Sequence, residues 1–155
     1  MSIRNTGSRA TPRVFCGFLP GRLIATGGIS MQTKVLIVED DNAMAQMCAK
    51  LIRRHGHNVV IATSGQDALA MVREARDIDV VITDIQMPKM SGMQLIARLH
   101  ALDATLPIIL MTGYAQLLSP SQALEIGAAD YIMKPFEPET LIGSLERAIN
   151  SGSHV

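Results

Sequence analysis

Glu39, Asp40, Asp84, Thr112 and Lys134 are separated by long stretches of sequence, yet each stands where a short apolar run ends. The run Val35 to Val38 leads into Glu39, Asp40 and Asp41, and Val80 to Thr83 leads into Asp84. Pro107 to Thr112 ends on the threonine, and Tyr131 to Met133 leads into Lys134. Carboxylates gathered at one point repel one another and resist ionisation unless a cation compensates. The lysine ammonium is one such cation, and a hard divalent ion is the natural second. Mg²⁺ suits because it takes oxygen ligands in near-octahedral geometry, keeps several waters and needs few carboxylates. Phosphoryl transfer asks a protein mainly for positioning and charge stabilisation. Asp84 offers a carboxylate nucleophile, Mg²⁺ and Lys134 can each cover a phosphoryl oxygen, and the Thr112 hydroxyl can cover a third. The expected product is an acyl phosphate on Asp84.

These groups meet only if the runs are neighbouring strands that exit on the same side. The four runs, with Val59 to Ala62 as a fifth, are too short for helices and too apolar for a sheet with a wet face, so they read as buried parallel strands. Segments of helical period lie between them. Met44, Met47, Cys48, Leu51 and Ile52 form one inward stripe, Ala68, Val72 and Ala75 a second, and Leu95, Leu99 and Leu102 a third. Ser119, Pro120 and Gln122 spell a capping box with proline in the first turn, for a helix expected to end at Gly127. A last helix follows Pro138, with Leu141, Leu145 and Ala148 inward. Five strands alternating with five helices predict a doubly wound α/β sandwich that binds ligands beyond the carboxyl ends of its strands.

The formal charge of zero is unevenly spread: residues 1 to 30 hold Arg4, Arg9, Arg13 and Arg22 with no acid, and the rest is acidic on balance. That balance gives no support to nucleic-acid binding through a basic patch. No apolar stretch approaches the roughly 20 residues of a membrane span. Residues 1–30 are expected to be an unstructured extension, most simply an extended gene start with Met31 the initiator, and 31–152 the folded domain. Cys16 and Cys48 lack metal-ligand spacing, which fits a reducing, cytoplasmic setting. No two of the histidines at 55, 57, 100 and 154 share a helical face, and none sits with the acids, so none is given a catalytic role. Asp41 is read as a helix cap. Leu117 and Leu118 are read as loop residues that either anchor the loop or face a partner.

At the segments KVLIVEDD, VVITDIQMPKMSG, PIILMTGYA and ADYIMKPF, the chain from about Lys34 to Ile149 resembles the receiver domain of bacterial two-component response regulators. The resemblance implies a flavodoxin-like sheet in the order 2-1-3-4-5. It implies that Asp84 is the phosphorylated residue, Asp40 a direct Mg²⁺ ligand, Glu39 an acidic partner acting through water, and the Gln86 backbone carbonyl a further ligand. It also implies that Thr112 and Lys134 serve phosphoryl transfer, that Thr112 and Tyr131 form a switch pair, and that the bond before Pro135 is cis. Gln86 and Tyr114 would flank the path of the water that removes the phosphoryl group.

The implied role is a phosphoacceptor that catalyses only its own phosphorylation and dephosphorylation. A histidine kinase or histidine phosphotransfer protein would be the donor. A downstream protein target would read the face built from the fourth helix, fifth strand and fifth helix. With no output domain after the last helix, a stand-alone regulator or phosphorelay shuttle is expected. Two alternatives use related chemistry: a Mg²⁺-dependent phosphatase that forms an aspartyl-phosphate on a Rossmann-like sheet, and a receiver-fold binding module that works without phosphorylation. The first needs an Asp-x-Asp motif after the first strand, where this chain has Glu39-Asp40-Asp41-Asn42.

Overall fold

The computed structural model describes residues 32–152 together with two short strands, Gly17–Leu19 and Arg22–Ile24. The chain divides into two units, Met1–Met31 and Gln32–Val155. In the first, the two short strands pair antiparallel, with Leu19 opposite Arg22. The rest of residues 1–30, Cys16 included, lies outside the described residues.

In the second unit, five strands alternate with five helices: β1 (Lys34–Val38), α1 (Asn42–Arg54), β2 (Asn58–Ala62), α2 (Gly65–Ala75), β3 (Val80–Asp84), α3 (Gly92–Leu102), β4 (Ile108–Thr112), α4 (Pro120–Glu125), β5 (Asp130–Met133) and α5 (Pro138–Gly152). All neighbours pair in parallel, in the order β2-β1-β3-β4-β5. The strands read as near-continuous apolar runs because both faces of the sheet are covered. Val35, Ile37, Val80, Ile82, Ile109 and Met111 point to the side of α1 and α5. Leu36, Val38, Val81, Ile108 and Leu110 point to that of α2, α3 and α4. Successive strand residues face opposite sides, so one sheet supplies both cores.

Helix starts follow local side-chain chemistry. Asp41, Ser64, Ser91 and Ser119 cap α1 to α4, each accepting a hydrogen bond from a backbone N–H in the first turn. The expected box at Ser119 is present: its Oγ accepts from the Gln122 amide at 3.2 Å, and Gln122 Oε1 accepts from the Ser119 amide at 2.9 Å. Helix α4 is short, and Gly127 follows its cap with φ +98°, a conformation glycine adopts without a Cβ penalty.

The helical stripes depart from expectation at a few positions. Met47 and Leu102 are exposed, as is Ala75, while Ala45 and Ala49 take inward places on α1. Ala75 and Leu102 are the last residues of their helices, whereas Met47 lies mid-helix at the margin of a face whose buried positions are Ala45, Cys48, Ala49 and Ile52. Leu118 is buried and Leu117 exposed.

Asp130 fastens β5 to α5. It accepts from Ser144 Oγ at 2.7 Å and from Arg147 Nη2 at 2.7 Å. Burial, the largest influence, pushes its pKa up, but the Ser144 and Arg147 hydrogen bonds prevail and hold it below the usual value. A carboxylate with a depressed folded-state pKa stabilises fully above its unfolded pKa and loses that contribution as pH falls through the folded value. Asp130→Asn should therefore lower stability by about 1 kcal/mol at neutral pH, chiefly through buried Ser144, since the exposed Arg147 adds little. Urea unfolding at a series of pH values should show the gap from wild type closing below the ordinary aspartate range.

Candidate functional site

The sheet's hydrogen bonds run one residue past the strands and carry the chemical groups to one edge. The Glu39 amide donates to the Ala62 carbonyl at 3.1 Å, the Ile85 amide to the Met111 carbonyl at 2.9 Å, and the Lys134 amide to the Thr112 carbonyl at 2.7 Å. Asp84, the last residue of β3, lies opposite Met111. The edge is the one where β1 leads out to α1 and β3 leads to α3, the point at which strand order reverses.

Lys134 joins two of the carboxylates. Its Nζ donates to Glu39 Oε2 at 2.7 Å and to Asp84 Oδ2 at 2.9 Å. Glu39 and Asp84 are buried, whereas Asp40 is exposed. The second oxygen of Glu39 accepts from the Asp41 amide at 3.2 Å, and Asp84 Oδ1 accepts from the Gln86 amide at 3.1 Å. Burial pushes the Glu39 pKa up, with the Asp84 charge adding to it and Lys134 opposing. For Lys134, burial pulls the pKa down, but the hydrogen bonds and charges of Glu39 and Asp84 override it and leave the value raised. The lysine is thus held as an ammonium.

Oxygens of Glu39, Asp40 and Asp84 lie within 4.8 Å of one another. Three carboxyl groups against one ammonium leave the edge without a matching number of cations. That donor set, all oxygen, fits a hard divalent cation such as Mg²⁺.

Of the remaining residues singled out in the sequence, Thr112 is buried, accepts from the Tyr114 amide at 3.0 Å and donates to its carbonyl at 3.4 Å. Its hydroxyl is engaged by the loop after β4 and by no carboxylate. Tyr131 lies opposite Leu110, and its hydroxyl donates to the Leu118 carbonyl at 2.9 Å. Tyr114 is exposed. The Lys134–Pro135 peptide is cis. Cys48 is buried in the core beneath, where burial pushes its thiol up to about 11, so it stays protonated and unreactive at neutral pH.

One residue escaped the sequence reading. Gly92, the first residue of α3, lies against the acceptor's own backbone: a Cβ there would stand 2.3 Å from the Asp84 carbonyl oxygen and 2.9 Å from Ile85 Cα. Its amide donates to the Ile85 carbonyl at 2.9 Å. Backbone atoms cannot yield as a flexible side chain can, so Gly92→Ala must displace Asp84, α3 or both. A loss of about 1–3 kcal/mol is expected from overpacking, read as a lower urea midpoint. A glycine beside a capping serine gives no sign in sequence of what it approaches.

A doubly wound five-stranded sheet with an acid cluster, a buried aspartate and a bridging lysine at its switch-point edge defines a flavodoxin-like fold with a candidate metal site. The chain belongs to the response regulator receiver domain family, whose model matches residues 35–146. Over 115 residues it is 36% identical to the transcriptional regulatory protein ZraR of Escherichia coli O157:H7, covering 74% of this chain and 26% of ZraR. Over 113 residues it is 35% identical to the DNA-binding response regulator MtrA of Mycolicibacterium smegmatis, covering 73% of this chain and 49% of MtrA. The chain thus spans about a quarter to a half of the length of these relatives. Among solved structures, a response regulator receiver domain protein from Clostridium thermocellum superposes with a TM-score of 0.73 at 30% identity, covering 78% of this chain and 97% of that one. The family makes this a two-component signal-transduction domain, and the two alternatives weighed from sequence gain no support from it. No helix among the described residues is long and apolar enough to cross a membrane.

Proposed function

We propose that Asp84 accepts a phosphoryl group from a histidine kinase or histidine phosphotransfer protein, and that residues 31–152 are the responding domain. Glu39, Asp40, Asp84 and the Gln86 carbonyl would hold Mg²⁺, which when bound neutralises charge on the phosphoryl oxygens. The observation that carries this reading is the Lys134 ammonium between Glu39 and Asp84, with Asp40 beside them. In the reaction, an Asp84 carboxylate oxygen attacks phosphorus and the bond to the donor breaks, leaving an acyl phosphate. Lys134 exchanges an Asp84 contact for a phosphoryl oxygen. Thr112 turns its hydroxyl from the Tyr114 carbonyl toward the same group.

That turn frees the loop after β4, on which Tyr131 is fastened at Leu118. Phosphorylation would then bias two arrangements of the loop, and a protein target would sense the difference at α4, β5 and α5. Leu124, Ile126 and Met133 are exposed on these elements or beside them, which supports a protein rather than nucleic-acid partner for this segment. A cytoplasmic setting follows from such a donor. Incubation with acetyl phosphate and Mg²⁺ should add one phosphoryl mass to the wild-type chain; the reading fails if no adduct forms.

Tyr114, exposed two residues past Thr112, together with Gln86 would screen the phosphoryl group from attacking water. Tyr114→Ala should shorten the phosphoryl half-life severalfold, roughly 1 kcal/mol of barrier, as followed by intact mass after the donor is removed. Equal decay rates would remove Tyr114 from this role.

A further inference from the structure

The loop from Gln86 to Ser91 has few inward anchors. Gln86 and Pro88 are exposed, and Met87 and Pro88 line an open groove. Within the loop, the Met90 amide donates to the Pro88 carbonyl at 2.8 Å around Lys89, whose φ is +68°. A two-residue hydrogen-bonded turn with positive φ on a residue bearing a Cβ is a strained γ-turn. Such backbone persists only where its surroundings over-determine it.

Met90 is what the surroundings grip. It is 5% exposed, within the core shared by α2 and α3. Its partner is Gly65, the first residue of α2: a Cβ there would stand 2.8 Å from Met90 Sδ and 3.1 Å from both its Cβ and Cγ. The side chain fills the notch left by a missing side chain, on a helix that contributes nothing to the acid cluster. On the other side of the loop, Gly92 meets the Asp84 carbonyl.

We propose that the Met90–Gly65 contact is a positioning device for the phosphoacceptor loop, with Gly65 and Met90 acting through the backbone of Gln86 to Lys89 on Asp84 and its metal. This rests on the phosphoacceptor reading. Met90 docked in the notch holds the γ-turn, and the γ-turn sets where the Gln86 amide meets Asp84 Oδ1. Filling the notch and emptying it should have the same consequence. Gly65→Ala makes Met90 Sδ move and presses on its Cβ and Cγ, so that the loop has to give by a few tenths of an ångström, and Met90→Ala removes the plug.

The test is a double-mutant cycle on the full chain with Gly65→Ala, Met90→Ala and both together. In the metal-free protein, hydrogen–deuterium exchange at the Met90 and Gly92 amides should quicken in each single variant, while amides in the β1 and β4 cores stay protected. With acetyl phosphate as donor, each single variant should label about tenfold to a hundredfold more slowly. Each should also need severalfold more Mg²⁺ for half-maximal labelling, a parameter that lowered stability alone does not move while the protein is folded. Adding Gly65→Ala to Met90→Ala should cost nothing further, because the overlap is gone. Met90→Leu, which keeps the apolar volume, should stay within about threefold of wild type.

Wild-type labelling and Mg²⁺ requirement in Gly65→Ala, or effects of the two single variants that multiply, would overturn the proposal. If Gly65→Ala fails to fold, Met90→Ala with normal loop exchange and labelling would overturn it equally. A wild-type chain that takes no label would instead defeat the phosphoacceptor reading, and the exchange data would still decide whether Met90 holds the loop.

Discussion

Lys134→Met is expected to lower the stability of the metal-free protein by about 2–3 kcal/mol and to slow phosphorylation by about a hundredfold or more. The stability loss follows from geometry: one ammonium serves both Glu39 Oε2 and Asp84 Oδ2, with Glu39 almost wholly buried. Removing one member of a buried ion pair leaves uncompensated charge, typically about 3–5 kcal/mol when burial is complete. Lys134 retains some exposure, and the orphaned carboxylates can take up a proton, so the expected figure is smaller. The rate loss has a separate origin. A fixed cation facing the developing phosphoryl charge is worth about 10²- to 10³-fold in comparable sites. Urea midpoints without metal and initial labelling rates with acetyl phosphate separate the two effects.

Asp84→Asn should abolish labelling altogether and yet raise the stability of the metal-free protein, by on the order of 1 kcal/mol. The opposite sign comes from the same ledger of charge. Three acids face one lysine, and Asp84 is among the influences that push Glu39 upward. Neutralising Asp84 leaves Lys134 with Glu39 as a matched pair and relieves the repulsion. Added Mg²⁺ should stabilise wild type more than Asp84→Asn, because the variant has lost one anionic ligand. A variant that is less stable than wild type without metal would mean that the cluster is not electrostatically strained.

The sheet and the meeting of Glu39, Asp40, Asp84 and Lys134 at its edge are legible in the sequence because both depend on patterns that survive folding. Apolar runs of strand length, each followed by a charged or hydroxylated residue, determine which groups reach the common edge; parallel pairing does the rest. The capping box at Ser119 was readable for a similar reason, being a local exchange of hydrogen bonds. What eluded the sequence depends on approach between distant segments. Nothing near Gly92 or Gly65 announces that a Cβ would collide with the Asp84 carbonyl or with Met90. Met47 has the right period but sits at the margin of a stripe centred on Ala45, Cys48, Ala49 and Ile52, and Leu102 is the last residue of α3. The hydrogen bond from Tyr131 to the Leu118 carbonyl depends on the path of the loop between β4 and α4, which periodicity does not describe.

The identity of the modified atom is the most direct test of the phosphoacceptor role of Asp84. Treating the acetyl phosphate-labelled chain with borohydride reduces an aspartyl phosphate to homoserine, whose position can be read by peptide sequencing in the mass spectrometer. Homoserine at position 84 alone is the predicted result. Homoserine at Asp40 or Asp41, or a phosphoryl group on a hydroxyl or histidine side chain with Asp84 unmodified, would contradict it.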